Sequence, residues 1–219
     1  MTRDSHDTGP MPDPDWLTRG REIQAIAQTG LEYSKDPYDR DRFTALRRLA
    51  ARIMAEHTSA SADRIESLFE GETGYATPKL GVRGAVFDTA GRILMVREVA
   101  DGNRWTLPGG WADVNQTPAQ SVVREVFEES GYRVRAVKLA AVWDRARQAQ
   151  PPMAFSVVRM FFICALDGGA AATSLETSEI GWFAEPGIPE DLSVARTSAH
   201  HIRRMFAHWR EPGLPAEFD

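Results

Sequence analysis

Residues 110–132 read GWADVNQTPAQSVVREVFEESGY, a glycine-led loop that runs into a short, heavily acidic helix. The helix start is signed by Thr117 as a cap, Pro118 at the first helical position and Gln120 three residues after the cap, where a capping box wants Glu or Gln. Gly131 signs its end. At about 100° per residue, Glu125, Glu128 and Glu129 share one face, and Ala119, Val123, Val126 and Phe127 lie roughly opposite. The expectation is that the apolar face packs and the acidic face looks outward. Three carboxylates in one turn repel one another at a cost of a few tenths of a kcal/mol per pair. Hard oxygen donors clustered in this way suit Mg²⁺ or Mn²⁺, shared with water and substrate phosphates. In isolation, E-x-x-E-E is more often a solvated helix face, so the surrounding pattern has to decide.

That pattern resembles the Nudix box, G-x5-E-x7-R-E-U-x-E-E-x-G-U, with U aliphatic. Gly110, Arg124, Glu125, Val126, Glu128, Glu129 and Gly131 match at the required spacing. Gln116 stands where the family usually has Glu, keeping a hydrogen-bonding group but losing a charge, and Tyr132 stands where it usually has an aliphatic residue. The resemblance implies a hydrolase that uses Mg²⁺ (or Mn²⁺) held by Glu125, Glu128 and Glu129. It also implies a further ligand in the Gly109 carbonyl, and an Arg124 that orients a carboxylate. The general base stays open between Glu129 and a Glu outside the helix, Glu176 or Glu179, whose alternative is solvated loop charge.

Around this centre the chain of 219 residues is long enough for one large domain or a domain with an appendage. Its formal charge of −5 makes indiscriminate binding to nucleic acid or membrane surfaces a poor fit. Neither a signal peptide nor a membrane-length apolar run is visible, so the expected compartment is the cytoplasm. The one cysteine, Cys164, lies in the apolar run FFICAL and reads as a buried, inert thiol.

Residues 1–15 are rich in Asp and Pro and read as a disordered tail; His6 there has no partner for a metal site. Residues 16–70 have helical periodicity, with one helix closing near Gly30, a second after Pro37 and a short third around Ile65, Leu68 and Phe69. This small helical domain holds nine Lys plus Arg and nine Asp plus Glu. Its neutrality disfavours a DNA-binding unit, and dimerisation or substrate gating is the expected role. Residues 71–78 are a turn-rich linker. Residues 79–210 then carry a hairpin, GVRGAVF and RILMVRE about Asp88–Gly91, the acidic helix, three further strands within VRAVKLAAVWD, FSVVRMFFICAL and EIGWFA, and a terminal helix with Ile202, Met205, Phe206 and Trp209 on one side. Residues 211–219 are left as a C-terminal tail. The fold class is α+β, and the resemblance implies an α/β/α sandwich for residues 79–210.

The segments IQAIAQTGLEYSKDPYDRDRF, ETGYATPK, LPGGWADV, EIGWF and LSVART are similar to Nudix hydrolases related to CDP-choline pyrophosphatase. That branch implies a homodimer and hydrolysis of CDP-choline to CMP and phosphocholine. ADP-ribose or nucleotide-sugar hydrolysis, RNA end processing and nucleotide sensing without cleavage remain as alternatives. For the substrate's diphosphate, Arg83 and Arg97 are candidates if they face the acidic helix, and sheet-surface residues if they do not. Trp111 and Tyr75 can stack on a base, though aromatic residues more often pack. His200, His201 and His208 read as surface or capping residues.

Overall fold

A computed structural model describes residues 13–219. Of the tail expected at residues 1–15, residues 1–12, with His6, lie outside the described residues. Asp13 and Asp15 do not continue it: Asp13 forms an ion pair with Arg21 at 2.6 Å, and Asp15 opens the first helix. The chain divides into two compact units, one ending at Lys79 and including Ala146–Ser156, the other formed by Leu80–Arg145 and Val157–Asp219.

The first unit is helical: α1 (Asp15–Tyr33), α2 (Pro37–Ala55) and α3 (Ala62–Glu70). Asp36 and Ser61 cap α2 and α3 through their side chains, and Pro37 takes the first turn of α2, as the sequence leads one to expect. Gly30 does not end α1. A Cβ there would stand 2.3 Å from the Phe43 ring, so this glycine allows α1 and α2 to approach, and the helix runs on to Tyr33. Leu17, Ala50, Ala51, Met54, Ile65 and Phe69 form the core of this unit.

The second unit begins with β1 (Lys79–Phe87) and β2 (Ile93–Glu98), an antiparallel hairpin closed by the Asp88 carboxylate, which accepts from the Ala90 and Arg92 amides. Then come β3 (Arg104–Thr106), α4 (Pro118–Ser130), β4 (Tyr132–Asp144), β5 (Val157–Gly169), β6 (Thr177–Phe183), α5 (Ala199–Arg210) and β7 (Glu217–Phe218). The sheet order is β3-β2-β1-β5-β4-β7, with β6 also pairing β2. Two of these strands were not expected. β3 is three residues long, and β7, within the expected C-terminal tail, pairs in parallel with β4 through Ala141 and Val142.

Each face of the sheet carries a helix. On one, Ile202, Met205 and Phe206 of α5 pack with Phe87, Ile93, Met95, Trp105 and Phe161. On the other, Val122 and Val126 of α4 pack with Val82, Val86, Leu94, Phe162 and Cys164. Each such aliphatic or aromatic side chain contributes about 1.5–3 kcal/mol on burial. This is the expected α/β/α sandwich. Burial also pushes the Cys164 thiol up to about 12, in keeping with an inert thiol.

Candidate active site

The acidic helix starts and stops where the sequence signs it. Thr117 and Gln120 form both halves of the capping box, and Gly131 ends α4 with φ 74°. Its rotational setting differs from expectation. Glu125 and Glu129 are buried, at 9% and 3% exposure, whereas Phe127 is half exposed and only Glu128 of the three acids looks outward. The cause lies in β1. A Cβ on Gly84 would stand 2.6 Å from a Val126 methyl, so the glycine lets the Val122–Val126 ridge press onto the strand. That setting carries Glu125 and Glu129 down along the same edge.

What receives them is the loop Leu107-Pro-Gly-Gly110, tied to β1 by hydrogen bonds from the Gly84 amide to the Pro108 carbonyl and from the Val82 amide to the Gly110 carbonyl, both 2.9 Å. Gly109 has φ 143°, and a Cβ there would meet the Val82 carbonyl at 2.2 Å. A Cβ on Gly110 would fall 2.6 Å from Glu125 Oε2. Position 109 therefore requires glycine for its backbone, whereas at Gly110 a side chain would push the Glu125 carboxylate aside. The Gly109 N–H donates to Glu129 Oε2 at 2.9 Å.

Arg83 is brought to this group. Buried in the middle of β1, its guanidinium donates to the Gly109 carbonyl and, at 3.2 Å, to that of Leu107. Burial lowers its pKa, against the nearby charge of Glu129, and Glu98 and Glu125 also favour its charged form. Burial pushes the Glu129 carboxyl up to about 8, against Arg83 and the Gly109 N–H, with Glu125 and Glu98 adding to the rise. Burial likewise raises Glu125, opposed by Arg124.

Arg124 organises the outer side. Its guanidinium reaches Glu128 at 2.5 Å and both Asp113 and Glu125 at 2.9 Å, and its Nε donates to Gln116 at 3.2 Å. Gln116 keeps its hydrogen bond, as expected. Glu128 is turned to Arg124, and among the described residues no three His, Cys, Asp or Glu side chains converge as a ready metal cage. Two buried, mutually repelling carboxylates beside a backbone carbonyl still form a hard-oxygen set that fits a divalent cation. Mg²⁺ in particular is usually held by one or two carboxylates, with water and substrate phosphates completing its shell.

Arg97 is not brought here. It is paired with Glu179 at 2.9 Å and Asp191 at 3.1 Å, and lies 4.9 Å over the Trp105 ring. Alternation along β2 puts it on the face opposite Glu98. Glu179 is thereby engaged and Glu176 is exposed, so neither side chain joins the buried acids. Trp111 is half exposed, and Tyr75 belongs to the helical unit. His200 is exposed. His201 does cap its helix, but as a buried residue: its Nδ1 accepts the Ser198 N–H at 3.1 Å. His208, also buried, lies 3.0 Å from Glu217.

Three further residues join the site without having been singled out from the sequence. Glu98 is buried at the end of β2 and pairs with Arg196 at 3.3 Å. Arg159, in β5, donates to the carbonyls of Ala195 at 2.8 Å and Arg196 at 2.6 Å, and burial lowers it to about 8, with the charges of Arg83, Arg145 and Arg196 adding to the shift. A charged residue inside the apolar run FSVVRMFFICAL was the available signal for Arg159. Acids on α4 and β2 thus meet guanidinium groups from β1 and the loop before α5, and the Arg159 guanidinium of β5 adds its charge beside Arg83 and Arg196.

A sandwich with a glycine loop feeding an acidic helix, and buried arginines behind it, defines the Nudix class of phosphoanhydride-handling folds. Comparison with known proteins agrees, and the chain belongs to the Nudix hydrolase family: the NUDIX domain matches residues 77–207. Residues 14–69 match a domain described as UDP-X-like, N-terminal oligomerisation domain. A candidate ADP-ribose pyrophosphatase of Bacillus subtilis, YjhB, is 40% identical over 204 residues, covering 93% of this chain and 97% of its own. A crystal structure of an ADP-ribose pyrophosphatase from Streptococcus suis is 34% identical, with a TM-score of 0.59, covering 65% of this chain and all of that one. The crystal structure of a UDP-X diphosphatase is 26% identical, also with a TM-score of 0.59, over 95% of this chain and all of its own. These relatives are named for ADP-ribose and UDP-X, so the narrower likeness to CDP-choline pyrophosphatase is not supported. Among the described residues, no helix is long and apolar enough to cross a membrane.

Proposed function

We propose that this hydrolase cleaves the pyrophosphate bond of a nucleoside diphosphate linked to a second moiety, with ADP-ribose or a UDP-linked compound ahead of CDP-choline. The observation that carries this reading is the buried meeting of Glu125 and Glu129 with Arg83 across the Gly109–Gly110 loop. A pyrophosphate linkage is anionic and resists attack by water until its charge is offset, which calls for cation-holding carboxylates and fixed guanidinium groups side by side. When bound, Mg²⁺ or Mn²⁺ supplies that neutralisation and a water of lowered pKa.

The chain's own groups then divide the work. Glu125 and Glu129 would hold the cation, and the Gly109 carbonyl, which already accepts from Arg83, would offer it a second lone pair. Arg124 keeps Glu125 in place and holds Glu128 at the rim. Arg83 opposes the effect of burial on Glu129 and so favours its anionic form. Glu129 is also the candidate to take a proton from the attacking water, since neither Glu176 nor Glu179 joins the buried acids. The helical unit, matched as an oligomerisation domain, supports a homodimer, which light scattering on the full chain tests directly.

Product analysis tests the reaction. ADP-ribose, UDP-glucose, CDP-choline, a nucleoside triphosphate and a short RNA are incubated with Mg²⁺, with Mn²⁺ and with chelator. Metal-dependent release of a nucleoside monophosphate, strongest from ADP-ribose or the UDP compound, is expected. Cleavage of CDP-choline above both reverses the substrate order. Binding of nucleotides with no cleavage of any compound refutes catalysis and favours a sensor, a reading to which the pairing of Glu128 with Arg124 lends some support.

A further inference from the structure

The last turn of α4 gives its carbonyls to partners beyond the helix: that of Phe127 accepts from the Gly131 N–H at 2.8 Å, that of Glu129 from the Thr177 hydroxyl at 2.7 Å, and that of Ser130 from the Ala172 N–H at 3.0 Å. Of these donors only Thr177 is a side chain, and only Thr177 belongs to a strand. It is the first residue of β6 and is fully buried. Where β6 pairs with β2, the register slips between Val96–Ile180 and Glu98–Thr177, so that two steps along β2 match three along β6. This is a β-bulge, a device that re-aims a side chain. Ile180 and Trp182 pack with the α4 face of the sheet, and Phe183 with the α5 face. Strict alternation would send Thr177, an odd number of residues before Ile180, to the α5 face. The extra residue turns it towards α4 instead, and its hydroxyl meets the Glu129 carbonyl.

We propose that Thr177 is a positioning residue for the hydrolysis, setting the backbone of Glu129 so that its carboxylate lies where the cation and the attacking water need it. The inference rests on the role proposed for Glu129 above. A hydroxyl has one proton to give. Thr177 spends it on Glu129, so in its contact with Ser174 Oγ at 3.2 Å it accepts, as it does from the Ser174 N–H at 3.2 Å. The direction of the bond to Glu129 is thereby fixed from behind. Glu129 is held at two points, its carbonyl by β6 and its carboxylate by the Gly109 N–H. Both holders are anchored to the sheet, Gly109 between the two loop ties to β1 and Thr177 opposite Glu98 on β2. Without the hydroxyl, the end of α4 keeps only the bonds from Gly131 and Ala172, which lie outside the strands, and the carboxylate loses its fixed origin. Thr177 acts on the reaction through Glu129 alone.

The test compares Thr177→Val, which keeps the shape and loses the hydroxyl, with Thr177→Ser, which keeps the hydroxyl, in steady-state hydrolysis of ADP-ribose with Mg²⁺. Thr177→Val should lower kcat roughly ten- to a hundredfold, the scale for a reacting group displaced by about 1 Å, with KM within about twofold of the parent, and Thr177→Ser should restore most of kcat. A second readout needs no turnover. The Gly109 amide signal in a ¹⁵N spectrum of the metal-free protein reports the hydrogen bond to the Glu129 carboxylate, and it should shift in Thr177→Val and hold in Thr177→Ser. Loss of packing alone would lower stability in urea without moving that signal or separating kcat from KM. If Thr177→Val does not fold, Thr177→Ala, which leaves room for a water at the carbonyl, is read in the same way. Unchanged kcat in Thr177→Val beside an inactive Glu129→Gln, an unmoved Gly109 amide, or equal losses in the Val and Ser variants overturns the positioning role and leaves the proposed function standing. Full activity in Glu129→Gln overturns the role of Glu129 itself, and this inference with it.

Discussion

His201 gives the sharpest test of the α5 side of the sandwich. It is the third helical residue of α5, where its Nδ1 accepts the Ser198 N–H and Ser198 Oγ accepts its own N–H in return. Its ring is 1% exposed and stacks on Trp143 at 5.2 Å. Burial lowers its pKa to about 3, with the charges of Arg159, His200 and Arg83 adding to the shift. In the unfolded chain the same imidazole titrates near its ordinary value of 6.5. Between these values the unfolded state holds one more proton than the folded state, so stability falls as pH falls, by about 1.4 kcal/mol per pH unit. From pH 7 to pH 5 the loss from this residue comes to about 2 kcal/mol, a large share of a typical domain stability of roughly 5–15 kcal/mol. His201→Gln keeps a capping-box side chain at this position but does not titrate. Urea unfolding of both proteins at pH 7, 6 and 5 and fixed ionic strength should therefore show the parent losing about 2 kcal/mol relative to the variant. Carboxylate contributions cancel in that difference. Parallel pH profiles for the two proteins would refute the reasoning.

Glu129→Gln should lower turnover by roughly 10²-fold or more, the scale of a lost electrostatic or acid–base group, and should remove most of the thermal stabilisation given by Mg²⁺; unchanged turnover in a steady-state assay counts against the site. Gly84→Val places a branched side chain where a Cβ already meets Val126 at 2.6 Å, so a loss of about 1–3 kcal/mol is expected in urea unfolding, with activity falling as α4 is displaced. Arg83→Ala leaves Glu129 and Glu98 buried without its charge and should cost on the order of 3–5 kcal/mol, whereas Arg97→Ala, at a partly exposed surface network, should leave KM within about twofold of the parent. Equal effects of the two arginine substitutions on KM would show that the strand phase is misread.

Local signals were legible where they are short in range. Thr117, Pro118, Gln120 and Gly131 bound α4 by rules that act within one turn, and the hairpin around Asp88 follows from its own turn residues. The rotation of α4 was not legible in this way. Both faces of the helix carry apolar residues, and the choice that buries Val122 with Glu125 and Glu129, leaving Phe127 outside, depends on Gly84 in a different element. The phase of Arg83 and Arg97 stayed open for a similar reason: β1 is almost continuously buried, so its sequence lacks the in–out alternation that fixes strand faces. Glu98 and Arg196 were missed because each is an ordinary charged residue until the fold pairs them. β7 was missed because two residues carry no periodicity at all.

Gln116 illustrates how a departure from a motif can be offset within the fold. In the family's usual box this position holds a Glu, and its loss removes one negative charge beside Arg124. Arg124 is nevertheless not short of anionic partners, since Asp113, three residues earlier in the same loop, reaches the same guanidinium at 2.9 Å. With Glu125 and Glu128 also in contact, a fourth carboxylate at position 116 would add repulsion around a single cation. The amide supplies a carbonyl oxygen to Arg124 Nε and the Ser121 hydroxyl without that repulsion. The orientation of Arg124, and through it of Glu125, is therefore kept by a different assignment of charge: the anion moves to Asp113 and the hydrogen bond stays at Gln116.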